Sequence, residues 1–162
     1  MPIQRLQYLV ITHAMIVLFL GLVAGLMLTF SLLEAVALWP IPGWEVQVFG
    51  STRGWQAAHV GGILNAVMMV ALIYLVSFLD LSLKPARWVG WGMIITGWGN
   101  TLFYWAGNVA ANRGLSAGDT PFGAGDLWGA LAYLGGGTAM VFTFVAVVLL
   151  MRAAWQKYSV AA

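Results

Sequence analysis

A single histidine, His59, interrupts a stretch of the 162-residue chain that is otherwise apolar. The stretch is long enough to cross a bilayer as a helix, and ionisable side chains are rare and costly inside a membrane. A neutral imidazole at such a position can ligate a metal or a haem iron, or it can hydrogen-bond a neighbouring helix. His59 is therefore the first candidate for a functional residue.

A second group of polar residues recurs at every fourth position further along the chain. Thr96, Asn100, Tyr104 and Asn108 share this spacing, which predicts a polar stripe on one face of a helix. Such a stripe is expected to face protein or a cavity, because lipid cannot satisfy its hydrogen bonds. The ordinary alternatives are interhelical hydrogen bonds for the Asn and Thr side chains, and for the tyrosine a place in the aromatic belt at the membrane surface.

Depth in the membrane connects the two groups. At about 1.5 Å per helical residue, His59 is expected roughly 6 Å and Asn65 roughly 15 Å from the outer end of their helix. Asn100 and Tyr104 are expected about 10 Å and about 5 Å from the same membrane face. We therefore predict that these four side chains line one shared pocket. The adjacent Gly61 and Gly62 leave room for a bulky planar group or for close packing of two helices.

The elements that position these residues are expected to be membrane helices. Hydrophobic residues make up 62% of the chain and charged residues only 7%, and the mean hydropathy is +0.90, which is typical of an integral membrane protein. Breaks rich in turn residues separate four apolar stretches, at about residues 7–33, 55–79, 87–107 and 126–154. We expect an all-α, integral membrane four-helix bundle that forms a single domain over residues 1–162.

The basic residues predict the orientation of these helices. Arg53 and Arg113 fall at one set of helix ends, and the other five cations fall at the opposite set: Arg5, Lys84, Arg87, Arg152 and Lys157. Because cytoplasmic loops carry the excess of lysine and arginine, both termini are expected in the cytoplasm and, in a bacterium, the protein in the inner membrane. The cations are too scattered for a nucleic-acid-binding patch.

Missing residue types narrow the possible chemistry. The chain has no cysteine, which excludes disulfides, thiolate ligands and haem attachment through cysteine. The sequence has no phosphate-binding, zinc-protease or serine-hydrolase motif, and no acidic residue has a metal-ligand spacing to His59. The second histidine, His13, is expected about 15 Å from His59 along the membrane normal. One chain is therefore not expected to hold a haem between the two, and a single axial ligand would leave the other iron face open for catalysis.

Three segments together resemble the styrene oxide isomerase family. They run from Gly54 through His59 to Asn65, from Asn100 to Asn108, and from Asn112 to Ser116. The resemblance implies an integral membrane enzyme that binds haem b and converts aryl epoxides such as styrene oxide to aldehydes such as phenylacetaldehyde. In this Meinwald rearrangement, ferric iron acts as a Lewis acid on the epoxide oxygen and a 1,2-hydride shift follows.

The resemblance also assigns roles to individual residues. His59 matches the family's axial haem ligand, and Asn65, Asn100 and Tyr104 match polar positions around the substrate. It implies a homotrimer with haem near the subunit contacts, so the expected partners are a small apolar epoxide, membrane lipid and further copies of the chain, with no nucleic acid.

Two other classes of protein remain open on the residues alone. One is a haem-binding electron-transfer or quinone-linked membrane subunit, in which His59 pairs with a histidine of another chain. The other is a structural membrane protein without a cofactor, in which asparagine and glycine serve helix packing.

Overall fold

Four long helices dominate the computed structural model, which describes residues 1–161. Helix α1 spans Ile3–Leu33, α2 spans Thr52–Phe78, α3 spans Leu83–Val109 and α4 spans Leu127–Ala161. The number and order of the helices confirm the prediction. Their ends lie within about four residues of the predicted ones, except that α4 continues about seven residues further. Its last two turns are polar, so hydropathy did not reveal them.

A small hairpin in the first loop corrects the expectation of an all-α protein. Strands β1 (Ala35–Leu38) and β2 (Ile41–Glu45) pair antiparallel, with Ala35 opposite Glu45. Glu34 ends α1 with a left-handed backbone (φ 52°), and its carbonyl accepts a 3.0 Å hydrogen bond from the backbone N–H of Val46. The Pro-rich run interpreted as a turn is thus part of the hairpin, which is compatible with proline because both strands are edges.

Three of the helices are long and apolar enough to cross a membrane: Ile3–Leu33, Thr52–Phe78 and Leu127–Val160. The prediction that α3 is a comparable apolar span is not met. Its 27 residues would reach about 40 Å, enough for a bilayer, but they are less hydrophobic. The reason is its place in the fold, because α3 packs against all three other helices and a shielded helix can carry polar residues.

The packing is more open than a closed four-helix bundle. Helices α1, α2 and α3 contact one another, whereas α4 packs mainly along α3 and, over residues 1–161, does not contact α1. Glycines set the two closest crossings. A Cβ on Gly62 of α2 would lie 2.6 Å from the Cα of Gly21 on α1, and one on Gly99 of α3 would lie 2.6 Å from the carbonyl oxygen of Gly135 on α4. These glycines therefore serve backbone-to-backbone packing.

The two ends of the molecule differ in charge. The end where α1 begins and α4 ends carries five cations and one acid, Asp80, whose carboxylate pairs with Lys157 at 2.6 Å. The opposite end carries two cations and the other four acids: Glu34, Glu45, Asp119 and Asp126. The grouping of cations expected from the sequence is confirmed, and the cytoplasmic placement of the basic end stays a prediction.

Candidate active site

The His59 ring lies in the groove between α1 and α2. Its Nδ1 atom is 2.9 Å from the carbonyl oxygen of Gly21, and a Cβ on Gly25 would lie 2.6 Å from the same nitrogen. Because a carbonyl can only accept, Nδ1 carries the proton and donates it. The lone pair of Nε2 is then available, and this nitrogen has no hydrogen-bond partner among the described residues. A backbone carbonyl that orients the imidazole in this way is the usual support of a metal-ligating histidine.

The donor set around His59 fits a haem better than a bare metal ion. Within residues 1–161 no group of three or more His, Cys, Asp or Glu side chains lies close enough to hold a metal. A haem needs only an axial ligand from the chain, since its porphyrin supplies the other four nitrogens. The ring is half-buried, so part of the residue remains accessible.

Asn65 and Asn100 meet on the other side of α2. The Asn65 side chain is 6% exposed; its Nδ2 donates to the carbonyl of Gly61 at 2.7 Å and its Oδ1 accepts from Asn100 Nδ2 at 2.7 Å. The Gly61 carbonyl fixes the orientation of the first amide, which fixes that of the second. Asn100 therefore keeps its carbonyl oxygen and one N–H available to a ligand.

The Tyr104 ring covers the Cα of Gly61 so closely that a β-carbon there would collide with it. The ring also makes an edge-to-face contact with Phe103, with centroids 5.4 Å apart. The hydroxyl has no hydrogen-bond partner among the described residues. It is available to donate to a ligand. Gly61 contacts both the Tyr104 ring and the side chain of Asn65, so it links Tyr104 to the hydrogen-bonded pair of Asn65 and Asn100.

A cleft of about 290 Å³ opens between α2, α3 and the third loop, with Tyr104 in its wall. Its other walls include Ala57, Phe103, Leu115 and Phe122, and the Arg113 guanidinium lies 4.3 Å from the centroid of the Phe122 ring. The wall also includes the polar residues Ser51, Arg53 and Asn108. A cleft with both apolar and polar walls can hold a small organic molecule that carries a polar group. The cleft connects Tyr104 with the outer end of the helices.

The predicted polar stripe on α3 does not face a single cavity. Thr96 is fully buried against α4, where its hydroxyl donates to the Ala139 carbonyl at 3.2 Å and lies 3.0 Å from the Thr143 hydroxyl. Four residues advance a helix by about 400°, so the stripe rotates about 40° at each step. Thr96 therefore faces α4 while Asn100 faces α2, and the expectation of one shared face is wrong for Thr96.

Asn108, at the far end of the stripe, organises the start of α2. Its Oδ1 accepts from the backbone N–H of Ser51 at 2.8 Å and from the Ser51 hydroxyl at 3.2 Å. Its Nδ2 is buried without a partner among the described residues. Asn108 thus ties the outer end of α3 to the cap of α2, beside the cleft that holds Tyr104.

Within one chain the structure does not form the single pocket predicted for His59 and the other three residues. Gly61, which packs against the Tyr104 ring, lies about 200° around the α2 axis from His59. Asn65 lies about 240° around it from His59. His59 accordingly contacts α1, while Asn65 and Gly61 contact α3. The polar cluster of Asn65, Asn100 and Tyr104 and the imidazole occupy opposite flanks of the same helix.

The second histidine is separate from both. His13 Nδ1 accepts a 3.0 Å hydrogen bond from the Trp98 indole, where α1 meets α3. Gly21, the partner of His59, lies eight residues further along α1, about 12 Å away. The expected separation of the two histidines agrees with this placement.

Two residues of the third loop were not singled out from the sequence. Asn112 is fully buried; its Nδ2 donates to the carbonyls of Ser116 and Gly118, both at 2.8 Å, and its Oδ1 accepts from Gly114 N–H at 3.0 Å. The short Asn-Arg-Gly turn was the available signal, since an asparagine side chain readily bonds the backbone two residues on.

Asp126 closes the same loop. Its carboxylate accepts from the backbone N–H of Ala111 at 3.0 Å and from that of Gly129 at 2.6 Å, in the position of an N-cap for α4. The Ala111 bond, followed by the Gly129 bond, holds the pKa of this carboxyl below its ordinary value of 3.8. An aspartate directly before an apolar run was the sequence signal for this cap.

The fold and the site are those of a helical protein with three helices that could cross a membrane and a polar site between its helices. The sequence model of the styrene oxide isomerase family matches residues 6–155. A styrene-oxide isomerase of Pseudomonas fluorescens is 36% identical over 134 residues, which cover 79% of this chain and 78% of the relative. The chain therefore belongs to the styrene oxide isomerase family, as the resemblance indicated, and this membership supports an epoxide isomerase activity.

Proposed function

We propose that the protein converts aryl epoxides such as styrene oxide to aldehydes such as phenylacetaldehyde, with haem b held by His59. The observation that carries the haem assignment is the 2.9 Å contact between Nδ1 of His59 and the Gly21 carbonyl, which leaves Nε2 free as a ligand. Family membership supports the reaction class. The basic end of the helices supports a location in the bacterial inner membrane.

Ferric haem, when bound, would supply an electrophilic iron that weakens the bond between the epoxide oxygen and the benzylic carbon. The chain's own groups act around that step. The Tyr104 hydroxyl donates a hydrogen bond to the oxygen, and Asn100, oriented by Asn65, presents a second N–H. As the benzylic C–O bond breaks, a hydrogen on the neighbouring carbon moves with its electron pair to the benzylic carbon. The carbon that it leaves forms the carbonyl with the epoxide oxygen, without net oxidation or reduction.

Apolar and aromatic side chains protect the positive charge that develops on the benzylic carbon. Phe103 lines the cleft beside Tyr104, and the face of an aromatic ring attracts a cation. Water has to be excluded from this carbon, because it would otherwise add there and give a diol. The reaction can then end in the aldehyde.

The geometry favours a site completed between chains. His59 and Tyr104 lie on opposite flanks of α2, so one copy cannot bring both to the same small molecule without moving α2. If α2 of one copy packs beside the outer cleft of another, a haem held by the imidazole of the first can reach Tyr104 in the wall of that cleft. A site shared between copies supports an oligomer, and the family resemblance implies that this oligomer is a homotrimer.

The deciding experiment is an absorption spectrum of the detergent-purified protein before and after styrene oxide, with the product identified. We expect a haem band that changes on adding epoxide, phenylacetaldehyde as the product, and loss of the band in His59→Ala. Activity should require ferric iron and fall when the haem is reduced; equal activity in both states would contradict the Lewis-acid role. A six-coordinate haem without turnover would instead favour an electron-transfer subunit, and colourless protein with adequate haem supply a structural one.

A mixing experiment tests the composite site. His59→Ala and Tyr104→Phe subunits, each nearly inactive alone, are co-expressed with different tags, and mixed oligomers are purified through both tags. If the site forms between chains, some interfaces join an intact His59 to an intact Tyr104 and activity returns. No recovery in mixed oligomers that retain haem would contradict a shared site.

A further inference from the structure

A groove between α3 and α4 lies at the basic end of the molecule, remote from the candidate active site. It encloses about 530 Å³, and its wall includes Lys84, Arg87, Trp88, Trp91, Ile95 and Phe142. Neither the epoxide reaction nor the haem ligand uses any of these residues. Its rim is positively charged and its floor is apolar.

Each groove residue on α3 has another three or four positions away, so they lie on one face of the helix. Lys84 and Arg87 are three residues apart and therefore neighbours on the helix surface. Trp88, Trp91 and Ile95 continue the same face deeper along the helix. From Lys84 to Ile95 the face extends about 16 Å, which is about the depth of one leaflet of a bilayer with a ~30 Å hydrocarbon core.

The two rim cations have no acidic partner among residues 1–161, where the one ion pair joins Lys157 to Asp80. Four of the five acids of the chain lie at the opposite end. Lys84 and Arg87 are exposed, and Trp88 and Trp91 are 51% and 48% exposed, so all four side chains can contact a ligand. Trp rings beside basic residues are suited to the boundary between lipid headgroups and acyl chains.

We propose that this groove binds an anionic phospholipid. The phosphate lies between Lys84 and Arg87, and one acyl chain follows Trp91, Ile95 and Phe142 into the hydrocarbon layer. Charge complementarity selects an acidic headgroup, and the apolar floor selects a lipid over a free phosphate. The proposal does not depend on the isomerase reaction.

Native mass spectrometry of the purified protein, titrated with phosphatidylglycerol or phosphatidylcholine, tests the site. We expect phosphatidylglycerol to be retained preferentially. The variant Lys84→Gln/Arg87→Gln should lose on the order of 30-fold in apparent affinity for it, the effect of two cations at a membrane surface. The matched control is Arg5→Gln/Arg152→Gln, which removes two exposed cations from the same end outside the groove and should retain the lipid. Equal losses in both variants would overturn the proposal in favour of diffuse attraction.

Two further experiments distinguish recognition of the lipid headgroup from recognition of the acyl chain. Ile95→Trp fills the groove and leaves both cations, so it should lower retention of phosphatidylglycerol by at least about tenfold; unchanged retention would place the lipid elsewhere and overturn the proposal. Inorganic phosphate at the same concentration should not displace the lipid, and displacement would identify a free-phosphate site instead. The helical circular dichroism of each variant shows that it is folded, and the Ile95→Trp arm decides the question if the double cation variant does not fold.

Discussion

Asn65 on α2 and Asn100 on α3 are joined by a 2.7 Å hydrogen bond. The bond determines which atoms of both amides face outward, because the Asn65 nitrogen is already committed to the Gly61 carbonyl at 2.7 Å. This one buried contact therefore joins α2 to α3 and also determines which atoms of Asn100 face a ligand.

Replacing Asn65 with leucine is expected to lower both stability and activity. The change leaves one N–H of Asn100 without its partner, which costs about 1–3 kcal/mol of unfolding free energy, whereas the Gly61 carbonyl keeps its backbone hydrogen bond within α2. Thermal unfolding in detergent and turnover of styrene oxide measure the two effects. The double variant Asn65→Leu/Asn100→Leu should lose less stability than the sum of the single variants; additive losses would mean that the two amides do not interact.

Gly61→Ala is expected to displace Tyr104, because the new methyl group occupies the space of the phenol ring. A misplacement of about 1 Å can cost on the order of 100-fold in rate, so kcat should fall while the haem spectrum is retained. The matched control is Gly137→Ala on α4, where a Cβ meets nothing within 4 Å. Wild-type kcat in Gly61→Ala would show that the position of Tyr104 is not critical.

Gly25→Ala is expected to weaken haem binding without touching the ligand itself. A Cβ at this position would lie 2.6 Å from Nδ1 of His59, so the ring must turn and its bond to Gly21 must weaken. Loss of such an orienting contact typically reduces affinity about 10–100-fold. Haem transfer to apomyoglobin measures the change against Gly137→Ala, and equal retention in the two variants would argue against His59 as the axial ligand.

The third loop is expected to become less stable in acid through Asp126. Its pKa is lowered in the folded protein by the Ala111 and Gly129 hydrogen bonds, so the carboxylate stabilises the fold above its ordinary pKa of 3.8 and loses this effect as the pH falls through the lower, folded value. Asp126→Asn should be less stable than wild type at neutral pH and should show a flatter dependence of Tm on pH below about 5, where the unfolded carboxyl begins to take up a proton. Glu45→Gln, on the exposed hairpin, controls for removal of a charge; a parallel pH dependence in wild type and Asp126→Asn would exclude this role.

Hydropathy was sufficient to predict the helices, because a long run without charges has few alternatives in a membrane. It did not predict the central place of α3, since packing against three neighbours is a property of the assembled fold. The estimated depths in the membrane placed Asn65 and Asn100 within about 5 Å of each other, and the two side chains are hydrogen-bonded. Such an estimate works because the rise along a helix depends only on residue number. The flank on which each side chain lies was harder to predict. His59 and Gly61 are close in sequence and depth, yet the helix turns about 200° between them.

The polar stripe shows the same limit. A four-residue repeat is close to 3.6, but it turns by about 40° at each step, and Thr96 and Asn100 already contact different helices one step apart. The hairpin was missed because its strands are short and contain proline, and the roles of Asn112 and Asp126 depend on backbone groups that a sequence does not bring together.

The hairpin after α1 has a mechanical consequence for the histidine. Trp39 at its tip is 96% exposed, and Ile41 and Trp44 are 54% and 53% exposed, so it presents a broad amphipathic surface of the kind that rests at the lipid–water boundary. It is joined to α1 without a linker, through Glu34 and its bond with Val46. A hairpin held at that boundary would fix the position of α1 along the membrane normal, and with it the height of Gly21 and Gly25, which contact the imidazole.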